Sequence, residues 1–281
     1  MKLTDLFDIE SHVAVVTGAA SGLGLAYAEV MAQNGATVVM ADFNPATLGE
    51  HAARLRADGC KVEGVVVDVS DAEALQAAID SAAERHGRLD YLFANAGISG
   101  GLGSLVSQDG AIDQFDLAVY QRAVDINLTA TLMAMRFAVP HMKRGGAGSI
   151  VITASIAGIQ AEQMCGYGYV AAKAAVINVA RQAAVELAPF NIRVNAIAPG
   201  PFLTNIGDGR LKQRPELQKV FSDMVPLGRV AQVDEIKGLA LLLASPAGSF
   251  ITGAVIPIDG GATCVSTRGN YTAVAASQAE V

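Results

Sequence analysis

The chain has 281 residues, 52% hydrophobic and 17% charged, which suits one sizeable globular core. Acids outnumber bases 27 to 20 for a net charge of -7, no basic run occurs and Trp is absent, so neither a nucleic-acid groove nor a single-strand stacking platform is expected. Cys60, Cys165 and Cys264 are scattered and no CxxC or HExxH is present, so no metal site or disulfide framework is expected and a reducing, cytoplasmic location fits.

Met1 to His12 carries charges without a long apolar core and does not read as a secretory signal. Val13 to Thr17 is a β-branched apolar run, which predicts a strand buried on both faces. Gly18, Ser21, Gly22, Leu23 and Gly24 form a glycine-rich turn, and Leu25 to Asn34 reads as helix. Strand, glycine turn and helix together make a phosphate-binding arrangement: the backbone can approach a pyrophosphate, and helix N-terminal amides face the anion. Thr37 to Asp42 reads as the second strand and ends in a carboxylate. An acid there accepts from adenosine ribose hydroxyls and repels a 2′-phosphate. Phe43 follows with no Arg or Lys beside it, and Ser21 stands where a base would help, so the sequence favours NAD over NADP.

Helix is expected over Pro45 to Ala57 and Ala72 to Arg85. Strands are expected over Lys61 to Val67, followed by Asp68 and Val69, and over Leu89 to Ala94, followed by Asn95, Ala96 and Gly97. This alternation predicts a Rossmann-type, doubly wound parallel α/β sheet of about seven strands with helices on both faces. Residues 1–262 form a single catalytic domain in this reading, and 263–281 a polar tail. Ser99 to Gln114 breaks the rhythm as a long loop, and Phe115 to Arg144 reads as one or two helices with Asn127 inside. Ser149 to Ala154 is the fifth strand and delivers Ser155 at its C-terminal end, the edge where open α/β sheets bind ligands. Tyr167 to Leu187 is helix, Arg193 to Ala198 the sixth strand, and Pro199-Gly200-Pro201 stops it. Phe202 to Pro226 is loop-like with a helical patch at Pro215 to Asp223. Val233 to Ala244 is helix and Ala254 to Ile258 the last strand. Pro246, Gly248, Gly253 and Pro257 interrupt the apolar region from Leu239 to Ile258, so no membrane span is expected.

Tyr169 and Lys173 lie four residues apart and share one helical face, with Ser155 14 residues upstream. An ammonium near a phenol favours the phenolate and would let Tyr169 exchange a proton near neutral pH.

Taken together, these residues closely resemble a short-chain dehydrogenase/reductase of the compact, single-domain type, from about His12 to Gly261. Thr17-Gly18-x-x-x-Gly22-x-Gly24 matches that family's cofactor turn and Asn95-Ala96-Gly97 its fourth-strand motif, although Ala94 precedes it where Asn is frequent. Asn127, Ser155, Tyr169 and Lys173 match its catalytic tetrad, and Pro199-Gly200 with Thr204 its nicotinamide-side motif. The resemblance implies that Tyr169 is general base in oxidation and general acid in reduction. It implies that Lys173 lowers the phenol's pKa and bonds the nicotinamide ribose, that Ser155 holds the reacting oxygen, and that Asn127 anchors a relay water. Asp68 and Val69 would border adenine, and Thr204 would bond the carboxamide. Tyr167 is a rival phenol off the Lys173 face. The Gly97–Asn127 segment is longer than in the shortest members, and Phe202 replaces a smaller branched residue.

The expected reaction is interconversion of a secondary alcohol and its ketone. Pocket-wall candidates are Ser99, Ile156, Met164, Tyr167, Phe202 and Leu203, mostly apolar, which points to a hydrophobic or cyclic substrate. Gln160, Glu162, Gln163 and Asn205 keep a sugar or polyol open. A non-catalytic NAD(H)-sensing protein is the other class on this fold. Epimerisation, dehydration and enoyl reduction usually go with a larger substrate domain or a wider Tyr–Lys spacing. The resemblance further implies a homotetramer or dimer.

Overall fold

Runs such as Val13 to Thr17 are apolar at nearly every position because both faces of the strand they form are covered. The computed structural model describes residues 2–207 and 209–265. Its strands are β1 (Val13–Thr17), β2 (Thr37–Asp42), β3 (Val62–Val66), β4 (Tyr91–Ala94), β5 (Gly148–Thr153), β6 (Ile192–Pro199) and β7 (Val255–Ile258). They form one seven-stranded sheet in the order β3-β2-β1-β4-β5-β6-β7, and every pair is parallel.

The helices are α1 (Leu3–Leu6), α2 (Gly22–Gln33), α3 (Pro45–Ala57), α4 (Ala72–His86), α5 (Leu117–Val124), α6 (Ala130–Gly145), α7 (Tyr167–Leu187), α8 (Arg210–Gln213), α9 (Pro215–Asp223) and α10 (Lys237–Ala244). Strand residues alternate between two cores. Val13, Val15, Leu92, Ile150 and Val194 pack on one face against apolar residues of α4, α6 and α7. Ala14, Val16, Phe93, Val151 and Ile197 pack on the other against α2, α3 and α10. This period of two within uniformly apolar strands is the pattern of a two-sided parallel sheet.

Helix ends follow local chemistry. Asn44 Oδ1 accepts from the amides of Ala46 and Thr47, with Pro45 as the first helical residue of α3. Asp71 caps α4, which ends at Gly87 in the left-handed region. The sequence run Phe115 to Arg144 resolves into α5, a π-helical turn at Asp125–Thr129 and α6. Val233 to Ala244 opens with a 3-10 turn, Val233–Ile236, before α10. The 99–114 loop is partly ordered by pairing: Leu102 bridges Cys165, and the amides of Gly103 and Leu105 donate to the carbonyls of Met164 and Gln163, both at 3.1 Å. A 3-10 turn at Ala262–Cys264 follows β7, and the tail beyond Val265 lies outside the described residues.

The strand order reverses between β1 and β4, so a crevice opens there beyond the C-terminal strand ends. Gly24 fixes how closely α2 approaches. A Cβ on it would stand 2.0 Å from the Gly18 carbonyl oxygen and 2.5 Å from Asn95 Nδ2. Gly24→Ala should therefore lower stability by about 1–3 kcal/mol through overpacking, read as a lower urea midpoint with an unchanged slope.

Candidate active site

The C-terminal ends of β1, β2, β4, β5 and β6 open into a cleft of about 1170 Å³. Gly18, Ser21, Gly22 and Leu23 of the glycine turn line it, as do Asp42 and Phe43 after β2, Asp68 and Val69 after β3, and Asn95, Ala96 and Gly97 after β4. Ser99, Ser155, Ile156, Met164, Tyr169, Lys173, Pro199, Gly200, Phe202 and Thr204 complete the sequence-predicted set that the structure brings together.

Four predicted residues, Asn127, Gly24, Tyr167 and Leu203, are not part of that lining. Gly24 is a packing residue beneath the turn. Tyr167 is 41% exposed and its ring packs on Phe115, with centroids 5.6 Å apart, because it starts α7 on the face away from Lys173. The expectation that it walls the pocket is therefore corrected. Leu203 is also corrected: its amide donates to the Ala231 carbonyl at 2.9 Å, and the strand-like alternation of 202–204 turns Phe202 and Thr204, but not Leu203, to the cleft.

The turn fits a dinucleotide. Gly18 and Gly22 both adopt positive φ, +66° and +55°, and a Cβ on Gly22 would stand 3.4 Å from Thr204 Cβ, closing the gap between the turn and the β6 loop. Asp42 is 7% exposed, and its carboxylate accepts from the Ala20 amide at 2.9 Å and the Asn44 amide at 3.0 Å. Those bonds fix its orientation at the cleft wall while leaving acceptor capacity for further donors.

Thr17 was present in the sequence motif, but its task was not evident there. Its hydroxyl accepts from the amides of Asn95 (3.0 Å) and Ala96 (3.1 Å) and donates to the Phe93 carbonyl at 3.3 Å. Asn95 in turn donates to the Thr17 and Gly18 carbonyls, and its Oδ1 accepts from the Thr153 hydroxyl. One polar lattice thus ties β1, β4 and β5 together beneath the cleft.

Asn127 sits in the π-helical turn, 1% exposed. Its Nδ2 donates to the Ile98 and Ala123 carbonyls (3.0 and 2.9 Å), and its Oδ1 accepts from the Ile98 amide at 3.2 Å. A Cβ on Gly97 would stand 2.7 Å from Asn127 Oδ1 and 3.6 Å from Lys173 Nζ, so both groups converge on that glycine.

Lys173 is 4% exposed and donates from Nζ to the Thr153 carbonyl at 2.7 Å. Burial lowers its pKa from 10.5 to about 8. Its Nζ lies 5.6 Å from the centroid of the Tyr169 ring. Burial pushes the Tyr169 phenol up to about 12, against the pull of a hydrogen bond with Ser155, while nearby Cys165 adds to the rise. Ser155 is 8% exposed, and its Oγ accepts from the Ala157 amide at 3.1 Å. The Thr153 carbonyl, Arg122 and Val265 are further site residues that sequence reasoning did not single out. Thr153 carried a signal, since it shares strand parity with Ser155.

Comparison with known proteins agrees with this arrangement. A family model described as Enoyl-(Acyl carrier protein) reductase matches residues 18–263. The chain is 38% identical to cis-4-hydroxycyclohexanecarboxylate dehydrogenase of Sinomonas cyclohexanicum, covering 90% of this chain and 97% of that protein. It is 36% identical to cyclohexanol dehydrogenase of Rhodococcus sp. (strain TK6), covering 93% and 99%. Gluconate 5-dehydrogenase from Burkholderia cenocepacia J2315, solved with NADP and tartrate, superposes with a TM-score of 0.85 at 30% identity, over 94% of this chain and 100% of that one. 7α-Hydroxysteroid dehydrogenase, solved with NADH and 7-oxo glycochenodeoxycholic acid, gives 0.84 at 30% identity, over 93% and 98%. The chain belongs to the short-chain dehydrogenase/reductase family. Among the described residues no helix is long and apolar enough to cross a membrane, and no His, Cys, Asp or Glu cluster could hold a metal.

The Thr17 hydroxyl is the hub of the lattice under the cleft. Thr17→Val should orphan two amides and lower stability by about 1–3 kcal/mol, with Thr17→Ser close to wild type in the same urea titration.

Proposed function

We propose that the chain is an NAD-dependent oxidoreductase that interconverts a hydrophobic or cyclic secondary alcohol and its ketone. The observation that carries this reading is the meeting of Ser155, Tyr169 and Lys173 in one cleft with the glycine turn and the Asp42 carboxylate. The reaction class is also that named in its dehydrogenase relatives.

A dinucleotide held in this cleft would supply the hydride acceptor or donor. The residues of the chain do the rest. Gly18 to Leu23 would hold its pyrophosphate through backbone amides, and the Asp42 carboxylate would accept from its ribose hydroxyls. Ser155 Oγ holds the reacting oxygen and stabilises charge developing on it. Tyr169 takes the alcohol proton in oxidation and returns it in reduction. Lys173 Nζ stands 5.6 Å from the centroid of the Tyr169 ring, and Asn127 braces the Gly97–Ile98 backbone beside the lysine. Ile156, Met164, Phe202, Phe221 and Met224 give the substrate end an apolar wall, which suits an alicyclic ring.

Against NADP, Asp42 would place a carboxylate beside a 2′-phosphate. Arg122, the arginine lining the cleft, is held by Asp68 at 3.7 Å and by Ser70 Oγ at 3.1 Å. Asp42→Ala combined with Phe43→Arg should move the NADP/NAD ratio of kcat/KM upward by at least about tenfold, or about 1.4 kcal/mol. An unchanged ratio would argue against Asp42 as the discriminator.

Tyr169→Phe should cost about 10²–10⁴-fold in kcat in both directions, measured as near-ultraviolet absorbance of reduced cofactor on a panel of aliphatic, cyclic and sugar alcohols. Oxidation starts from the phenolate, and the raised pKa of Tyr169 keeps that form scarce near neutrality. Oxidation should therefore accelerate from pH 6 to 9, whereas reduction, which starts from the phenol, should not. Full activity of Tyr169→Phe, or oxidation that slows as pH rises through this range, would sink the assignment.

A further inference from the structure

The charged residues that line the cleft fall into two groups by their place in the fold. Asp42, Asp68 and Arg122 belong to the β2 and β3 side, where Arg122 is engaged by Asp68 and Ser70. Glu162, on the segment after β5, and Asp223, at the end of α9, belong to the substrate side. Lys173 lies beside the end of β5, with its ammonium bonded to the Thr153 carbonyl. Asp223 is an exposed rim residue already paired with Lys219 at 2.8 Å. Glu162 is only partly exposed. Its Oε1 accepts from the Met164 amide at 3.1 Å, which fixes the carboxylate, and it forms no ion pair among the described residues.

Two cations stand close to the same end, but outside its lining. Arg210 Nε donates to the Gly207 carbonyl at 2.9 Å and Lys212 Nζ to Asn205 Oδ1 at 3.0 Å, so both brace the segment after Thr204. The wall a substrate meets therefore carries an uncompensated carboxylate and no lysine or arginine apart from Lys173, among the described residues.

We propose that Glu162 is a specificity-determining residue that rejects anionic substrates, so that the cleft takes alicyclic alcohols and ketones bearing a neutral group where the relative from Sinomonas cyclohexanicum takes a carboxylate. The physical reason is like-charge repulsion in a partly desolvated cleft, where water screens two carboxylates poorly. The proposal rests on the alcohol–ketone reading and sharpens it.

The test uses 4-hydroxycyclohexanecarboxamide and 4-hydroxycyclohexanecarboxylate, which differ by one charge at nearly constant shape. With NAD, kcat/KM for the amide should exceed that for the acid by at least about tenfold, and Glu162→Gln should narrow the ratio to about threefold or less. Calorimetric binding of the inert pair cyclohexanecarboxamide and cyclohexanecarboxylate makes the same comparison without turnover. An acid that binds and reacts as well as the amide, a ratio unmoved by Glu162→Gln, or no binding of either inert ligand would overturn the proposal. An acid preference that disappears in Arg210→Ala would overturn it too, by moving the charge contact to that arginine. If the inert pair binds in the predicted ratio while neither alcohol is oxidised, the charge selection stands and the alcohol–ketone reading falls.

Discussion

Lys173 carries an ammonium into a site where 4% of the residue meets solvent, and it donates to the Thr153 carbonyl 2.7 Å away. Burying a charge on one hydrogen bond is costly, and the drop of its pKa to about 8 records that cost. The cost is borne because the surroundings leave the side chain little alternative. Helix α7 is packed against β6 and the turn after β5, and Gly158, where a Cβ would lie 2.4 Å from the Lys173 carbonyl, lets that turn approach the helix backbone. The ammonium is thereby delivered next to Gly97, Asn127 and the Tyr169 ring.

The same buried environment acts on the phenol with the opposite sign. Desolvation raises Tyr169 as it lowers Lys173, because each group is pushed towards its neutral form. The two groups are thereby driven apart in proton affinity, from nearly equal free values to about 12 for the phenol and about 8 for the ammonium, with the Ser155 hydrogen bond pulling the phenol partly back. The phenol is thus held in its protonated form, the form that gives a proton to a bound oxygen in reduction, while the scarce phenolate is the form that takes one in oxidation. The parallel sheet makes this possible by bringing Ser155 from the end of β5 and Tyr169 from α7 to one edge beside the β1–β4 switch point.

Much of this was visible in the sequence, and the gaps have physical causes. Strand and helix order could be read because the β-branched runs and glycine punctuation are strong local signals, and α7 and α9 begin and end where the pattern places them. The π-helical turn around Asn127 was hidden, since one extra residue in a helix leaves no compositional mark. Tyr167 was misplaced because two tyrosines two residues apart look alike until the helix phase sends one to solvent. Leu203 failed for a similar reason, as an apolar side chain in a loop carries no sign of which way it turns. The lattice through Thr17, Asn95 and Thr153 spans three strands far apart in sequence, and hydroxyl pairing at that range has no periodicity to betray it.

The central claim is that hydrogen leaves a carbinol carbon directly for the dinucleotide while Tyr169 handles the proton on oxygen. It is tested most directly by supplying NAD and cyclohexanol deuterated at the carbinol carbon. The account predicts slower turnover than with the unlabelled alcohol and deuterium recovered in the nicotinamide ring of the reduced cofactor. Deuterium released to water instead, at any rate of turnover, would contradict it, because the carbon-bound hydrogen would then be leaving as a proton.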